Sequence, residues 1–404
     1  MTALFLLLSC TSEPIPEPAP AEPVKAEFSG HWKRLDNLNF GHAGMVIGAV
    51  ADQVLIFGGY SPTAERLDLL SGKVLPQDPA PFALQNATAV SLTEGVLIQG
   101  GTLPDQSLST QGLLWTPAGF KAVAGLTEPR SHASAAEMQG AALVCGGQGT
   151  AGPLATCEVS TSSSSLPAPK LPATRVGAHM LTLGGKALLV GGQGPDNDEI
   201  WVLEGQEWKV WATLETARWE HAVVVDGARI LVLGGRDEEG ALSSVEICDA
   251  QGCEAGPSLN EARSGLSAGW VGGGAMADQP GGARRLVVFG GLDVPDSPDA
   301  LSSRTVELLL PDLSQWEMAE RSGQARRGAT VHAPGDGTLV VIGGENRGKL
   351  ATAVSRYSPL NKPPRVVEEE PEVEPGLELA PEEPTPVPEG PDQGKPEQEG
   401  PNAP

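Results

Sequence analysis

The residues with the clearest capacity for chemistry are arginines that recur at one spacing along the chain. Four of them lie sixteen residues before the first glycine of a Gly-Gly pair, namely Arg130, Arg175, Arg218 and Arg327. Arg263 takes the same place if an insertion of eleven residues around 271–283 is allowed. Guanidinium groups gathered at one site can bind carboxylates or sulfates through paired hydrogen bonds. The spacing therefore makes these five arginines candidate ligand-binding residues.

Acidic side chains follow three of the same glycine pairs. The candidates are Asp196, Asp198, Asp237 and Asp293, in the segments 193–199, 236–240 and 292–303. Loops held on a rigid scaffold commonly carry binding specificity, so these carboxylates are also candidate ligand-binding residues. Calcium coordination is an alternative role, although aspartates spaced in this way in loops are usually only solvated. We expect no metal site and no cofactor.

The glycine pairs belong to a repeat. An apolar run ends in Gly-Gly seven times, and the first glycines stand at 58, 100, 146, 191, 234, 290 and 343. The spacings of 42, 46, 45, 43, 56 and 53 residues match the length of a propeller blade. An apolar run without alternation indicates a strand that is covered on both faces, and glycine permits positive φ where the strand ends. With three further strand-like runs per repeat, the pattern predicts four-stranded blades.

The repeats resemble kelch repeats over roughly residues 31–360. The resemblance lies in the Gly-Gly strand end, the upstream Arg-x-x-His at 218–221, the downstream Val245-Glu246 and the tryptophan strands at Trp208 and Trp316. The second repeat departs from the pattern, because Phe-Ala-Leu-Gln at 82–85 replaces the arginine segment. We therefore treat the second repeat as a possible degenerate blade.

The kelch resemblance gives the arginines two alternative roles. It implies that they begin the innermost strands, where five guanidinium groups would ring one mouth of the central channel. It equally implies pairing with the glutamates that recur on the third strands, Glu158, Glu246 and Glu307. Buried charges need such partners. Four histidines lie on or near the same segments, where their place in the repeat explains them: His42, His132, His179 and His221.

The two ends of the repeat region complement each other. Residues 30–35 read like the fourth strand of a blade, and the seventh repeat ends after 353–357 without a tryptophan strand. Pairing the two would remove exposed sheet edges. We predict an all-β, seven-bladed kelch-type propeller closed by the N-terminal strand; six blades with a spare strand is the alternative.

Four cysteines form two pairs that suit disulfides. Cys145 precedes a glycine pair and Cys157 lies on the next strand, so the two can face each other across a hairpin. Cys248 and Cys253 bracket a turn. Disulfides at both pairs fit export to an oxidising compartment. Zinc is the competing interpretation, but no histidine accompanies either pair at ligand spacing.

Both ends of the chain have the composition of segments outside the propeller. Residues 1–10 resemble a bacterial lipoprotein signal, with Cys10 as the acylated residue, although no lysine or arginine precedes the apolar run. Residues 11–30 and 361–404 are rich in proline and glutamate, which predicts a disordered linker and a disordered acidic tail. An arbitrary hydrophobic start is the alternative for residues 1–10.

The net charge argues against nucleic-acid partners. Of the formal net charge of −24, the linker carries −3 and the tail −9, which leaves about −12 on residues 31–360. Phosphate backbones repel such a polyanion. The acidic tail can bind basic partners or keep the protein soluble, and we favour solubility.

We derive two functional hypotheses. The first is a non-enzymatic module in the bacterial cell envelope, a monomer attached to a membrane only through its lipid and presenting one loop-rich face to an envelope protein or a glycan. The second follows from the kelch resemblance and is a carbohydrate-active enzyme of the sialic-acid mutarotase type. The resemblance also includes copper radical oxidases, which need a tyrosine–cysteine pair, whereas this chain has two tyrosines, Tyr60 and Tyr357.

Lipidation can be tested directly. We expect labelled palmitate to enter the full-length protein expressed in bacteria and to be absent after Cys10→Ser, because the thiol is the attachment site. Equal labelling of both proteins, or none of either, would show that the chain is not anchored through Cys10.

Overall fold

The structure is a computed structural model that describes residues 30–42, 44–279, 282–293 and 302–360. The predicted signal segment 1–10 with Cys10, the predicted linker apart from Gly30, and the acidic tail 361–404 lie outside the described residues.

The described chain forms seven antiparallel sheets of four strands, which are the blades of a β-propeller. The chain begins with β1 (His31–Arg34). Blade 1 contains β2 (Val46–Val50), β3 (Gln53–Phe57), β4 (Ala64–Asp68) and β5 (Val74–Gln77). Blade 2 contains β6 (Thr88–Leu92), β7 (Gly95–Gln99), β8 (Gly112–Thr116) and β9 (Gly119–Val123). Blade 3 contains β10 (Ser134–Met138), β11 (Ala141–Cys145), the loop hairpin β12 (Gln148–Gly149) and β13 (Gly152–Pro153), then β14 (Cys157–Ser160) and β15 (Ser165–Ala168).

The remaining blades follow the same order. Blade 4 contains β16 (His179–Leu183), β17 (Lys186–Val190), β18 (Glu199–Glu204) and β19 (Glu207–Thr213). Blade 5 contains β20 (Ala222–Asp226), β21 (Arg229–Leu233), β22 (Val245–Asp249) and β23 (Gly252–Ala255). Blade 6 contains β24 (Ser264–Val271), a 3-10 turn (Gly274–Met276), β25 (Arg285–Leu292), β26 (Val306–Leu309) and β27 (Trp316–Met318). Blade 7 contains β28 (Thr330–His332), β29 (Leu339–Ile342), the loop hairpin β30 (Glu345–Asn346) and β31 (Lys349–Leu350), and β32 (Val354–Ser358).

The N-terminal strand closes the ring, as predicted. β1 pairs antiparallel with β32 and becomes the fourth strand of blade 7, in register from His31 opposite Ser358 to Arg34 opposite Ser355. The ring of Trp32 packs against Tyr357 with ring centroids 5.0 Å apart. The seven-bladed prediction is therefore confirmed, and the second repeat is a complete blade despite its missing arginine.

The apolar runs before the glycine pairs are the most buried strands, as their lack of alternation predicted. Leu55, Ile56 and Phe57 of β3 are fully buried. Each apolar cluster joins two neighbouring blades; for example, Leu231 of blade 5 packs with Val288 of blade 6. A single blade therefore cannot bury its own faces, and the core depends on the closed ring.

Both predicted disulfides are present. Cys145 of β11 lies directly opposite Cys157 of β14, and Cys248 of β22 lies opposite Cys253 of β23. The two bridges indicate an extracellular or otherwise oxidising compartment. Within the described ranges, no helix has the length and apolarity needed to cross a membrane.

The described chain enters and leaves the propeller at the same end. β32 begins at Val354, which lies opposite Ile342 beside the glycine pair of blade 7, and it runs away from that pair to Ser358. His31, the first residue of β1, lies opposite Ser358. The imidazole Nδ1 of His31 is 2.7 Å from the carbonyl oxygen of Leu360. We call this end the far end, and the end that carries the glycine pairs and the loops after them the loop face.

The closure predicts an unequal response to truncation. Deleting residues 30–36 should lower the thermal midpoint far more than deleting 361–404, because it removes β1 and Trp32 and exposes the edge of β32. Thermal melts of the two truncated proteins measure this, and equal midpoints would show that closure contributes little to stability.

Candidate functional site

The recurring arginines are buried inside the blades. Arg218 has no exposed surface, and its Nη1 donates to the carbonyl oxygen of Gly234, the first glycine of its own blade, at 2.9 Å. Its Nη2 donates to the carboxylate of Glu246 at 2.6 Å. Glu246 also accepts the backbone N–H groups of Glu215 and Thr216, so the carboxylate is fully occupied. Burial lowers the pKa of Arg218, while Glu246 acts in the opposite direction.

The same pairing occurs in blades 3 and 6. Arg130 donates to Glu158 at 3.2 Å, and Arg263 donates to Glu307 at 2.7 Å. Burial alone would raise the pKa of Glu158, but the backbone N–H of Thr127 and neighbouring hydroxyl groups outweigh it and hold that pKa below its ordinary value. This is the structural pairing expected as one of the two alternatives. Anion binding by these arginines stays a prediction, and it would require the guanidinium groups to leave these partners.

Two blades keep the arginine and replace the glutamate. In blade 4 the strand position of the glutamate is held by Trp201, and the guanidinium carbon of Arg175 lies 4.1 Å from the centre of its ring. Burial lowers the pKa of Arg175 to about 10, which leaves it charged at neutral pH. In blade 7 the position is held by Ser355, which accepts from Arg326 at 3.2 Å.

Arg326, not Arg327, is therefore the member of the series in blade 7. Arg326 donates to the carbonyl oxygen of Gly343 over a separation of seventeen residues, where the other blades without an insertion have sixteen. The extra residue moved the predicted position to Arg327, whose side chain is 37% exposed and pairs with Glu345 at 3.3 Å.

The first two blades replace the arginine itself. In blade 1 the place belongs to His42, which lies sixteen residues before Gly58 and contacts its carbonyl oxygen at 3.0 Å and Glu65 at 3.2 Å. In blade 2, Leu84 and Leu113 replace both charges and are buried. Both charges are therefore replaced together only in blade 2, where the sequence already showed that the arginine segment is missing, whereas the role of His42 in blade 1 was not predicted.

A ring of left-handed residues surrounds the mouth of the channel on the loop face. Each blade contributes the residue two positions after the arginine or its replacement, and each has a φ between 52° and 64°: Gly44, Asn86, His132, Gly177, Glu220, Gly265 and Gly328. We call this set the mouth ring. Backbone hydrogen bonds connect five of the seven neighbouring pairs of members, as from His132 N–H to the carbonyl of Asn86 at 3.1 Å and from Gly265 N–H to the carbonyl of Glu220 at 2.8 Å.

The mouth ring borders a cavity of about 560 Å³. Six of the seven blades contribute to its lining, through residues that include Met45, Asn86, His132, Glu220, Arg327 and Leu350. Arg327 is the one predicted ligand-binding arginine among the cavity residues; the other four, Arg130, Arg175, Arg218 and Arg263, are buried in the blades.

The candidate acidic loops lie on the same face as the arginine-bearing segments, as expected. Single β-bridges pair Val176 with Gln193 and Trp219 with Arg236, which places both loops beside those segments. Asp196 and Asp293 are exposed, and Asp198 and Asp237 are half-buried. The carboxylate of Asp237 accepts backbone N–H groups of its own loop. The part of the third loop at 294–301 lies outside the described residues.

Three large apolar side chains are exposed on the loop face and were not predicted. Phe40, Tyr60 and Leu350 are exposed by 51%, 55% and 41%. Gly41 packs against Leu350, which places that side chain of blade 7 beside the segment of Phe40. They lie in loops outside the repeat pattern, so no periodic signal in the sequence marks them.

Fold and site together define a seven-bladed propeller with a polar cavity at the centre of its loop face. No protein-family model and no curated protein matches the sequence. Among solved structures, the chain is similar to a fungal alcohol oxidase of the AA5 family in complex with copper, with a TM-score of 0.64 and 13% identity over 82% of this chain and 76% of that one. A likeness at this identity shows the fold alone.

The buried pairs predict a large loss of stability after one substitution. Arg218→Ala should lower the free energy of unfolding by about 3–5 kcal/mol, because Glu246 stays buried without its cation. Arg327→Ala should change it by less than about 1 kcal/mol, because that pair is partly solvated. Denaturant unfolding measures both.

A double variant provides the matched control. Arg218→Leu with Glu246→Leu copies Leu84 and Leu113 of blade 2 and should recover part of the loss. If Arg218→Ala and Arg327→Ala have the same effect, the buried pair does not stabilise the blade.

Proposed function

We propose that this chain is a non-enzymatic binding module that presents its loop face, with the channel mouth at the centre, to a protein or glycan partner in the cell envelope. The mouth ring carries the proposal. Four blades place glycine at this left-handed position, whereas Asn86, His132 and Glu220 occupy it with φ of 52–53°. A side chain in this conformation costs about 1–2 kcal/mol. Side chains that are retained at this cost beside a cavity are expected to bind the partner that the cavity contacts.

The surroundings of the cavity suit a partner with both polar and apolar groups. Glu220 and the Arg327–Glu345 pair offer donors and acceptors, and Leu350 adds an apolar wall. A volume of about 560 Å³ lies within the range of small-ligand sites. Exposed aromatic residues such as Phe40 and Tyr60 are typical anchors of protein interfaces and also stack on sugars.

The chain path supports presentation of the loop face away from an anchor. The described chain begins at Gly30 at the far end, so a tether before Gly30 would leave the loop face unobstructed. Lipidation at Cys10 belongs to the proposal, and the two disulfides agree with an exported protein.

The described residues do not support the copper chemistry of the similar oxidase. Kelch-like copper oxidases resemble this chain in fold and need a tyrosine–cysteine pair, but all four described cysteines form disulfides. Tyr357 is buried in blade 7, and Tyr60 is exposed on the loop face. The mutarotase alternative depends on arginines at the mouth, and four of the five predicted arginines are buried inside the blades. No observation at the site favours an enzyme.

The glycines of the other blades supply the test. Replacing Asn86, His132 and Glu220 together with glycine copies the mouth of blades 1, 4, 6 and 7 and should leave the thermal midpoint nearly unchanged. Glycan-array binding and capture of labelled envelope proteins should detect a partner of the parent chain that binds the triple variant at least about tenfold more weakly.

The control is Gln139→Gly, which relieves the same conformation, φ of 55°, in a hairpin turn at the far end. It should leave binding intact. A partner that binds the parent and the triple variant equally would place recognition elsewhere, and mutarotation of an acidic sugar by the parent chain would support the enzyme instead.

A further inference from the structure

The junction between blades 4 and 5 is built from imidazoles. At two other junctions a serine of the first strand, opposite the residue before the glycine pair, bonds to the next blade: Ser134 donates to the carbonyl of Ala178 at 2.8 Å, and Ser267 to that of Ala329 at 2.7 Å. The same strand position in blade 4 is His179, whose exposed ring meets the ring of His221 across the junction. An ionisable group therefore replaces the hydroxyl in this contact.

His221 occupies a position that is apolar in every other blade. The equivalent residues, three positions after the arginine or its replacement, are Met45, Ala87, Ala133, Ala178, Leu266 and Ala329. His221 is 2% exposed, and within the described part of the chain neither of its ring nitrogens has a hydrogen-bond partner. Its ring packs against Gly191 of blade 4 and meets the ring of His179 edge to face, with centroids 4.8 Å apart. A buried polar group without a partner calls for a functional explanation.

The mouth ring has no backbone hydrogen bond at this junction. Bonds connect blades 1 to 4 in sequence and blades 5 to 7 in sequence, but among the described residues none joins Glu220 of blade 5 to Gly177 of blade 4, or Gly44 of blade 1 to Gly328 of blade 7. The imidazole contact therefore lies at one of the two junctions where the mouth ring is interrupted.

The charged surroundings favour neutral imidazoles. The groups that act on His221 are the Arg218 guanidinium of its own segment and the His179 ring of β16, while Gly191 and Gly235 pack against it through backbone alone. The carboxylate of Glu220, next in the chain, lies exposed at the mouth. Burial, reinforced by these two neighbours, holds the pKa of His221 well below its ordinary value, whereas the His179 ring is exposed.

We propose that the junction between blades 4 and 5 is an acid-operated opening in the propeller ring, in which protonation of His221 and His179 separates the two blades at the loop face. The buried His221 cation would be repelled by Arg218 and by a protonated His179, and the opened form would hydrate it. Opening moves Glu220 and the loops at 193–199 and 236–240, so acid would release a partner bound there; this last step rests on the proposed function.

The sign of the pH dependence follows from the lowered pKa of His221. The open form binds protons with an ordinary histidine pKa of about 6.5, and the closed form binds them only at lower pH. The closed junction is therefore fully favoured above about pH 6.5 and loses stability as the pH falls below that value. Each unit by which a folded pKa is lowered gives about a tenfold change in the opening equilibrium.

Amide hydrogen exchange tests the proposal without any partner. The full chain is measured at pH 7.5 and at pH 5 with a chelator present. Protection factors of β16 and β20 should be at least about tenfold lower at pH 5, whereas those of β2 and β6 should stay constant. His179→Ser with His221→Ala copies the junction between blades 3 and 4, where Ser134 meets Ala178, and should abolish the change.

His221→Ala alone provides a second variant if the double variant does not fold, and it should remove most of the change. The proposal is overturned if protection falls equally in all blades, if it does not fall in the parent chain, or if it falls equally in the parent and the variants. Because no partner enters the measurement, its failure would leave the proposed binding function standing.

Discussion

The fold depends on hydrogen bonds between the segment that carries the arginine or its replacement and the glycine pairs of two successive blades. The guanidinium of Arg218 donates to the carbonyl of Gly234 in its own blade, and the backbone carbonyl of Arg218 accepts the N–H of Gly192 in the preceding blade at 3.0 Å. Glycine is required there, because a Cβ on Gly234 would lie 2.8 Å from the carbonyl of Arg263. One short segment thus fixes both the inside of a blade and its distance from the next.

The natural variation among the seven blades separates the two halves of this interaction. The backbone hydrogen bond is kept where the side chain is changed. Leu84 replaces the arginine in blade 2, and its carbonyl still accepts the N–H of Gly59 in blade 1 at 3.0 Å. The side-chain half varies: the glutamate is replaced in blades 4 and 7, His42 replaces the arginine beside Glu65 in blade 1, and leucines replace both charges in blade 2. Blade geometry is therefore set by the backbone contact, and the charges satisfy one another inside it.

The repeated determinants were predictable from sequence, and the individual ones were not. Glycine pairs, disulfides and the closing strand depend on spacing and pairing, which the sequence displays. One extra residue in blade 7 was enough to exchange Arg326 for Arg327, because spacing cannot locate an insertion. The mouth ring is defined by a positive φ, which a glycine in the sequence suggests but His132 and Glu220 do not. The apolar side chains of the loop face belong to no repeat, so only their exposure in the folded chain distinguishes them.

The closing strand also determines where mechanical load would enter the molecule. β1 is the first described element, and it is held by its ladder with β32 and by Trp32 against Phe289 and Tyr357. The hydrogen bonds of an antiparallel ladder stand perpendicular to the strands, so a pull along β1 strains all of them together. In a tethered molecule under tension, the hydrogen bonds between β1 and β32 would thus resist together. When they break, the ring would open at blade 7 while the other six blades stay in place.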